Sequence, residues 1–410
     1  MIEYVLWTIA FIALFLTIVW INIMYSHKEK KEQKSKTPLV SIAIPAFNEE
    51  EGIESTLESV VRLDYPENKL EIIIINDGST DKTAQRIKNF IKKNPGSNIK
   101  LINKKNEGKA AALNTALEIC KGELFACVDG DTTVDKDSLK NMMWRFQKKN
   151  TAAVISTIKV KNPDNMYGKI QRMEYLMAVL MRNLMTFTKT LHVTPGALSV
   201  YRTKILIKHG GFDKNNITED FEIAMRLKSL DYDVELEKNS VVYTNVPSNI
   251  NSFWRQRIRW SRGFIHNHVK YKHMVLNKKH GNMGMFQLPL NIIAPILLIT
   301  SIVVIAYMSI SKLYEFGIRS VLIKGYFQTH LLTFPSFKEM ILGQNLKIVF
   351  PIIIGSILGI YLFYMAHKMN NEKIKNPGST ALYFLALPYM IASYWITAII
   401  QEIMKIKKQW

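Results

Sequence analysis

The sequence predicts an α/β domain with a mixed, mostly parallel sheet, joined to an α-helical transmembrane bundle. Long apolar runs stand near both ends of the 410-residue chain, and about 240 residues of charged, alternating sequence lie between them. In this middle part, short β-branched runs alternate with segments of helical periodicity, as expected for strands joined by helices. We therefore predict an N-terminal anchor at 1–26, the α/β domain with interface helices at 38–275, and a membrane region at 276–410.

The apolar runs are the basis of the membrane assignment. Residues 4–24 carry no charge and are long enough to cross a bilayer as one helix. A cleaved signal peptide is the alternative, but no positive region precedes this run and no small-residue cleavage motif follows it. Three further runs, at 285–308, 348–366 and 381–404, each approach the ~20 residues of a spanning helix. We predict a multi-pass protein of the cell membrane.

The basic flanks of these runs predict the orientation. Five lysines occur between residues 26 and 36, so the positive-inside rule places the α/β domain in the cytoplasm. Three simple C-terminal crossings would, however, leave the lysines of the tail 405–410 outside. Two alternatives stay open. Either the segment 313–345 lies in or re-enters the interface, or the region of Pro289 and Pro295 does not make a simple crossing.

The formal net charge of +20 could indicate either of two partners. Nucleic acid is one, because cationic side chains neutralise phosphates. Much of the basic excess flanks the apolar runs, however, where attraction to anionic lipid headgroups accounts for it. We therefore predict contact with the lipid bilayer and no nucleic-acid partner.

Polar side chains follow several of the predicted strands. They are Asn48, Glu49, Asp77, Lys109, Asp129 and Asp131. The carboxyl ends of parallel strands meet at one edge of a sheet, so these groups are expected to converge on one crevice. Acids there suit a metal ion or a base edge and a lysine suits phosphate, which together would hold a nucleoside diphosphate with a divalent cation. Taken singly, each motif is more often a turn, a helix cap or a solvated lysine than part of a binding site.

Seven motifs follow one another in an order known from one family. They are "PAFNEEEGIESTL", "IIIINDGSTDKT", "NEGKAAALNTAL", "DGDT", "TPGALSVYR", "ITEDFEIAMRL" and "QRIRW". In this order they resemble family-2 glycosyltransferases of the GT-A fold, and within them the membrane-embedded processive synthases of hyaluronan, chitin, cellulose and poly-N-acetylglucosamine. The resemblance runs from about Val40 to Gly263.

The resemblance implies a set of donor contacts. The nucleotide-sugar contacts would be Pro45, Asn48, Glu49, Asp77, Lys109 and Asp129. Asp77 resembles the acid that contacts the uracil ring, and Lys109 matches the lysine near the diphosphate. Asp129 and Asp131 match the metal-binding acid pair, with Asp131 the more direct ligand. The implied cofactor is Mg²⁺ or Mn²⁺.

The resemblance also implies roles on the acceptor side. Asp220 matches the general base that takes the proton of the attacking hydroxyl. The acceptor and diphosphate contacts would be Glu219, Gln256, Arg257, Arg259 and Trp260. Trp260 would stack on the acceptor sugar, and Arg257 or Arg259 would stabilise the departing UDP. Alternatively, the acids at 219 and 220 only begin a helix, where they favour its dipole, and both roles are compatible.

The expected activity is inverting transfer of a sugar, GlcNAc, from a UDP-sugar to a growing β-linked polysaccharide, which the helices help to translocate. A glycan acceptor and an accessory membrane protein are the further expected partners. One alternative is a single transfer to a lipid acceptor. Another is a catalytically silent scaffold or channel, against which the intact acid pair, "TED" and "QRIRW" motifs argue.

Overall fold

A mixed sheet forms the centre of the α/β domain. The computed structural model describes residues 2–27, 36–332 and 346–406. The strands are β1 (Val40–Ala46), β2 (Leu70–Asp77), β3 (Ile99–Lys104), β4 (Leu124–Cys127), β5 (Thr133–Val134), β6 (Thr151–Val160), β7 (Ser199–Arg202) and β8 (Asp233–Thr244). Their order in the sheet is β3-β2-β1-β4-β7-β6-β8-β5.

The first four strands run parallel, and their carboxyl ends share one edge of the sheet. Ala43 of β1 lies opposite Ile73 of β2 and Cys127 of β4. β7 runs antiparallel to β4 and β6, and β5 runs antiparallel to β8, whereas β6 and β8 are parallel. The predicted mixed, mostly parallel sheet is therefore confirmed.

Helices cover both faces of the sheet. They are α2 (Ile53–Val61), α3 (Thr83–Lys93), α4 (Lys109–Ile119), α5 (Ser138–Met142), α6 (Met166–Phe187), α7 (Thr203–Lys208), α8 (Glu219–Ser229) and α9 (Ile250–Lys270). The buried face of α4 is rich in alanine, including Ala112 and Ala116, so this helix packs closely on β1 and β2. Because α4 begins at Lys109, this close packing fixes the position of that lysine at the carboxyl edge of the sheet.

Among the described residues, four helices are long and apolar enough to cross a membrane. The helices outside the α/β domain are α1 (Ile2–Ser26), α10 (Leu288–Leu322), α11 (Tyr326–Leu332), α12 (Leu346–Met369) and α13 (Pro377–Ile403). The second predicted run, 285–308, ended too early, because the helix continues to Leu322. With the π-helical turn Met283–Gln287 it has 40 residues, or about 60 Å at the helical rise. The lysines at 28–34 and the tail residues 407–410 lie outside the described residues.

α6 and α9 connect the domain to the membrane helices. Trp20 of α1 packs with Leu180 of α6 and Ala366 of α12 in one buried cluster. α13 contacts α6 near its beginning, where the Thr380 hydroxyl lies 3.7 Å from the sulfur of Met173. It contacts α9 near its end, where Glu402 pairs with Arg262. α13 therefore runs along the face of the domain that α6 and α9 form.

Candidate active site

A crevice of about 720 Å³ opens at the carboxyl edge of the parallel strands. It is lined by Pro45, Ala46, Phe47, Glu49, Asp77, Asn106, Glu107, Gly108, Lys109, Asp129, Gly130 and Asp131. The structure thus brings together every predicted donor-side residue except Asn48. Asn48 lines an adjoining recess with Asp81 and Asp131.

Asn48 joins two loops of the crevice. Its backbone has φ = +56°, a left-handed conformation that asparagine tolerates. The side-chain oxygen accepts a hydrogen bond from the Thr80 N–H at 2.8 Å, and the Asn48 N–H donates to the Ser79 hydroxyl at 3.1 Å. Asn48 therefore fixes the loop after β1 to the loop after β2.

Asp77 is buried and already has three donors. Its carboxylate accepts hydrogen bonds from the N–H groups of Gly108 at 2.8 Å and Glu107 at 3.2 Å, and from Nζ of Lys104 at 3.1 Å. Gly108 has φ = +90°, which glycine adopts without strain. Asp77 thereby stabilises the turn that leads to Lys109. A nucleobase bound here would contact a carboxylate that already accepts hydrogen bonds from this turn.

Lys109 provides the positive charge beside the acid pair. Its Nζ lies 2.5 Å from Oδ1 of Asp129 and 3.6 Å from Oε1 of Glu219. Burial lowers the pKa of Lys109, but Asp129, Glu219 and Asp220 outweigh that effect and raise it, so the lysine stays charged. Gly196 lies against this pair, and a Cβ there would overlap both Nζ and the Asp129 carboxylate. A larger residue at this glycine of "TPGALSVYR" would therefore have to displace the ion pair.

Asp131 and Glu49 have no basic partner among the described residues. Burial and the neighbouring Asp129 raise the pKa of Asp131 to about 6. Burial, Asp131 and Asp129 raise the pKa of Glu49 to about 7. Such uncompensated carboxylates fit a divalent cation, which would relieve their repulsion. The described residues contain no cluster of three or more His, Cys, Asp or Glu suited to a metal, so diphosphate oxygens or water would have to complete the coordination.

Asp220 lies in the first turn of α8, next to Glu219, whose Oε1 is 3.6 Å from Nζ of Lys109. Its Oδ1 accepts a hydrogen bond from the Phe221 N–H at 2.8 Å, and its backbone carbonyl accepts one from the Thr194 hydroxyl at 2.7 Å. Oδ2 accepts no hydrogen bond from the described residues. The helix start therefore holds this carboxylate rigidly and leaves one oxygen for a proton.

The "QRIRW" motif lies on α9, where its arginines already have partners. Arg257 donates from Nη2 to Oε2 of Glu174 at 2.6 Å, and its guanidinium lies 4.4 Å from the ring centre of Trp260. Arg259 donates to the carbonyl oxygen of Ile217 at 3.1 Å. Neither guanidinium lines the crevice. Oε1 of Gln256 is buried and has no hydrogen-bond partner among the described residues.

Two charged residues of α6 were missed in the sequence. Glu174 pairs with Arg257, and burial raises the pKa of its carboxyl group. Arg182 faces Asp220, Glu174 and Tyr175, and its guanidinium has neither an ion pair nor a hydrogen bond within the ranges that the structure describes. The signal was present, because Glu174 is the one acid of α6 and Arg182 is the one charge in its second half, from Tyr175 to Phe187.

The fold and the crevice define a GT-A-like glycosyltransferase domain attached to membrane helices. Residues 41–210 match glycosyl transferase family 2, and this part of the chain is a family-2 glycosyltransferase domain. The resemblance predicted from the seven motifs is thus confirmed.

Two bacterial relatives are similar in sequence. The chain is 32% identical over 266 residues to a poly-beta-1,6-N-acetyl-D-glucosamine synthase of Staphylococcus epidermidis. It is 30% identical over 266 residues to the enzyme of that name from Staphylococcus aureus strain COL. Each alignment covers 62% of this chain and 64% of the relative, so the chain spans just under two thirds of the relatives' length.

A solved structure is similar over nearly the whole chain. It is a mannosyltransferase from Pyrobaculum calidifontis in complex with GDP-Man and Mn²⁺. The TM-score is 0.61 at 20% identity, and the alignment covers 99% of this chain and 100% of the other. At this identity the similarity concerns the fold, which includes the membrane helices as well as the α/β domain.

Proposed function

We propose that this chain is an inverting membrane glycosyltransferase that transfers GlcNAc from a UDP-sugar to a growing β-linked polysaccharide. The domain would face the cytoplasm, where nucleotide sugars are available. One observation carries the proposal: Lys109 lies 2.5 Å from Asp129 and 3.6 Å from Glu219, so the acid pair for the donor and the helix start that carries the candidate base Asp220 meet at one lysine. The names of the bacterial relatives support GlcNAc as the sugar.

The donor side is assigned to the residues at the carboxyl edge of the sheet. Lys109 would bind the diphosphate, and Asp77 would contact the uracil ring in the pocket formed by Pro45 and Glu49. Asp131 and Asp129 would hold Mg²⁺ or Mn²⁺, which supplies charge neutralisation of the leaving diphosphate when bound.

Asp220 is assigned as the general base. The free Oδ2 would accept the proton of the acceptor hydroxyl as its oxygen attacks the anomeric carbon from the face opposite UDP. The bond between that carbon and the diphosphate oxygen breaks, UDP leaves with the bonding electrons, and the configuration inverts. Glu219 beside Lys109 would support the site, because its charge helps to keep the lysine protonated.

The acceptor is assigned to Trp260 of α9 and the residues that support its ring. Trp260 lies on the guanidinium of Arg257, which Glu174 holds in place, so the ring is supported on one side and can stack a sugar on the other. The membrane helices that pack on α6 and α9 would guide the polymer outward, with an accessory membrane protein as a further partner.

The decisive experiment incubates the full chain, purified in detergent with Mg²⁺, with UDP-GlcNAc, UDP-Glc, UDP-GlcA or GDP-Man. Mass analysis then identifies the product. A GlcNAc polymer formed only from UDP-GlcNAc supports the proposal. Turnover of GDP-Man alone would overturn the donor assignment, and a single sugar on a lipid would favour transfer to a lipid acceptor.

A further inference from the structure

An apolar groove lies between α9, α10 and α13, away from the crevice. We call it the lateral groove and define it by residues lining it within 264–275, 291–299 and 395–403. Its volume is about 440 Å³. Several of its apolar side chains are exposed, with Ile296 57% and Ile403 75% accessible. Because α10 is one of the membrane helices, this groove opens where the domain meets the bilayer.

The groove has the depth of an acyl chain. It follows α10 from Asn291 to Ile299, a distance of about 12 Å at the helical rise. One leaflet of a bilayer has a hydrocarbon depth of about 15 Å. The wall opposite α10 contains Trp395, whose ring packs on Phe264 with their centres 5.3 Å apart. The groove is therefore a preformed apolar slot that runs along a spanning helix.

The mouth of the groove is basic. Lys272 and Glu402 both lie there, but Glu402 is neutralised by Arg262, whose Nε lies 2.6 Å from its Oε1. Lys272 makes no ion pair with any residue in the described ranges. No Asp or Glu occurs in the sequence between Glu237 and Glu315, so the whole surrounding segment is free of acid. A headgroup at this mouth meets an uncompensated positive charge.

We propose that an anionic phospholipid occupies the lateral groove, with its phosphate on Lys272 and one acyl chain between α10 and α13. The lipid is bound and not consumed. Phe264 and His268 of the groove wall belong to α9, the helix that carries Trp260, and the side chain of Asn291 bonds to Nε2 of His268 at 3.1 Å. An occupied groove thus holds α9 against the membrane helices and stabilises the position of the acceptor-side motif.

The test is native mass spectrometry of the full chain, titrated in mild detergent with phosphatidylglycerol or phosphatidylcholine of identical acyl chains. We expect one phosphatidylglycerol per chain and at least about five-fold lower retention of phosphatidylcholine, as one lysine contact implies. Lys272→Gln should remove this preference, whereas Lys278→Gln, in the same basic segment, should preserve it. Ile296→Trp should abolish retention by filling the groove. Ile305→Trp, on the opposite face of α10, should not.

Several results would overturn the inference. Equal retention of both lipids in the wild type would show that no headgroup is recognised. Equal losses in Lys272→Gln and Lys278→Gln, or in Ile296→Trp and Ile305→Trp, would show that lipid binds elsewhere. A sugar found on the retained lipid after addition of donor would make it a substrate. UDP binding by each variant verifies its fold, and lipid retention is measured without donor, so failure of the proposed activity would leave this test intact.

Discussion

Arg262 of α9 and Glu402 of α13 form an ion pair in which Nε lies 2.6 Å from Oε1. A second bond, from Arg262 Nη2 to the Ile406 carbonyl oxygen at 2.7 Å, continues the contact past the end of α13. α9 in turn packs on the α/β domain, because Nδ2 of Asn267 lies 3.1 Å from the Thr218 hydroxyl. Both ends of α13, at Thr380 and at Glu402, therefore contact helices of the α/β domain.

This arrangement predicts the side on which the C-terminus lies. α13 is about 40 Å long and has the composition of a spanning helix, yet both ends contact helices of the domain. In a Cys120→Ser, Cys127→Ser background, cysteines at Lys272 and Lys405 should react with an impermeant maleimide from the same side of sealed vesicles. Labelling from opposite sides would show that α13 crosses the bilayer.

Activity should require a divalent cation. EDTA should abolish transfer, and Mg²⁺ or Mn²⁺ should restore it, because Asp131 and Glu49 form no ion pair in the described structure and repulsion among the carboxylates outweighs the attraction of Lys109. Asp131→Asn should raise the cation concentration needed for half-maximal activity by about ten-fold or more. Asp135→Asn, an exposed acid just beyond β5, is the control. Full turnover in EDTA would refute the metal assignment.

Asp220→Asn should separate donor binding from transfer. The substitution keeps the size and the hydrogen bond from Phe221 but removes the basic oxygen, so transfer should fall by about 10²-fold or more with UDP affinity unchanged. Initial rates and calorimetry provide the two measurements. Asp213→Asn, an acid that pairs with Lys270 outside the crevice, should retain activity. If Asp220→Asn lost UDP binding, the residue would belong to the donor site.

Trp260→Ala should shorten the product. Under the proposed function the ring would hold the acceptor between additions, and a contact with an aromatic face contributes about 1 kcal/mol. Product length against time on a carbohydrate gel should show short chains released early, with UDP affinity retained. Trp260→Phe preserves an aromatic face and should recover part of the length. Identical length distributions in the wild type and Trp260→Ala would exclude a holding role.

The contribution of His192 and His268 to stability should fall as the pH decreases from 6.5 towards 4. Burial lowers the pKa of His192 and of His268 to about 4, below the unfolded value of 6.5, so the unfolded chain binds more protons in this window. Their contribution is complete above pH 6.5 and is lost at up to about 3 kcal/mol per imidazole below it. Asp131 and Glu49, whose pKa values are raised, contribute with the opposite sign in this window. Between pH 7.5 and 5, His268→Gln should therefore lose less thermal stability than the wild type. His273→Gln, an exposed histidine, should match the wild type.

The elements of this protein were more predictable than its contacts. Apolar runs and alternating periodicity were sufficient for the parallel strands, α4 and the spans, because each pattern lies within a few neighbouring residues. The partners of Asn48 and Asp77 lie about thirty residues away, so their loop contacts have no local signature. The sequence therefore predicted where these residues gather but not which backbone groups they bind.

The contacts on the acceptor side were not predictable either, because their partners lie still further apart in the sequence. Glu174 and Arg257 are 83 residues apart, and no spacing rule connects two helices that meet only through tertiary packing. α13 is a second case: its apolar length predicts a crossing, and only the Arg262 contact reveals where its end lies. Length and hydropathy describe one helix at a time, whereas orientation depends on what that helix packs against.

The Lys109 and Asp129 ion pair has a consequence for the order of binding events. In the structure each charge already neutralises the other at 2.5 Å. A diphosphate that binds Lys109 would replace the ion pair between Lys109 and Asp129 with one between Lys109 and phosphate. The Asp129 carboxylate would then be without its lysine partner. The freed carboxylate then attracts a cation more strongly than before. Under the proposed function, donor and cation would therefore be cooperative ligands, each raising the affinity of the crevice for the other by the same factor.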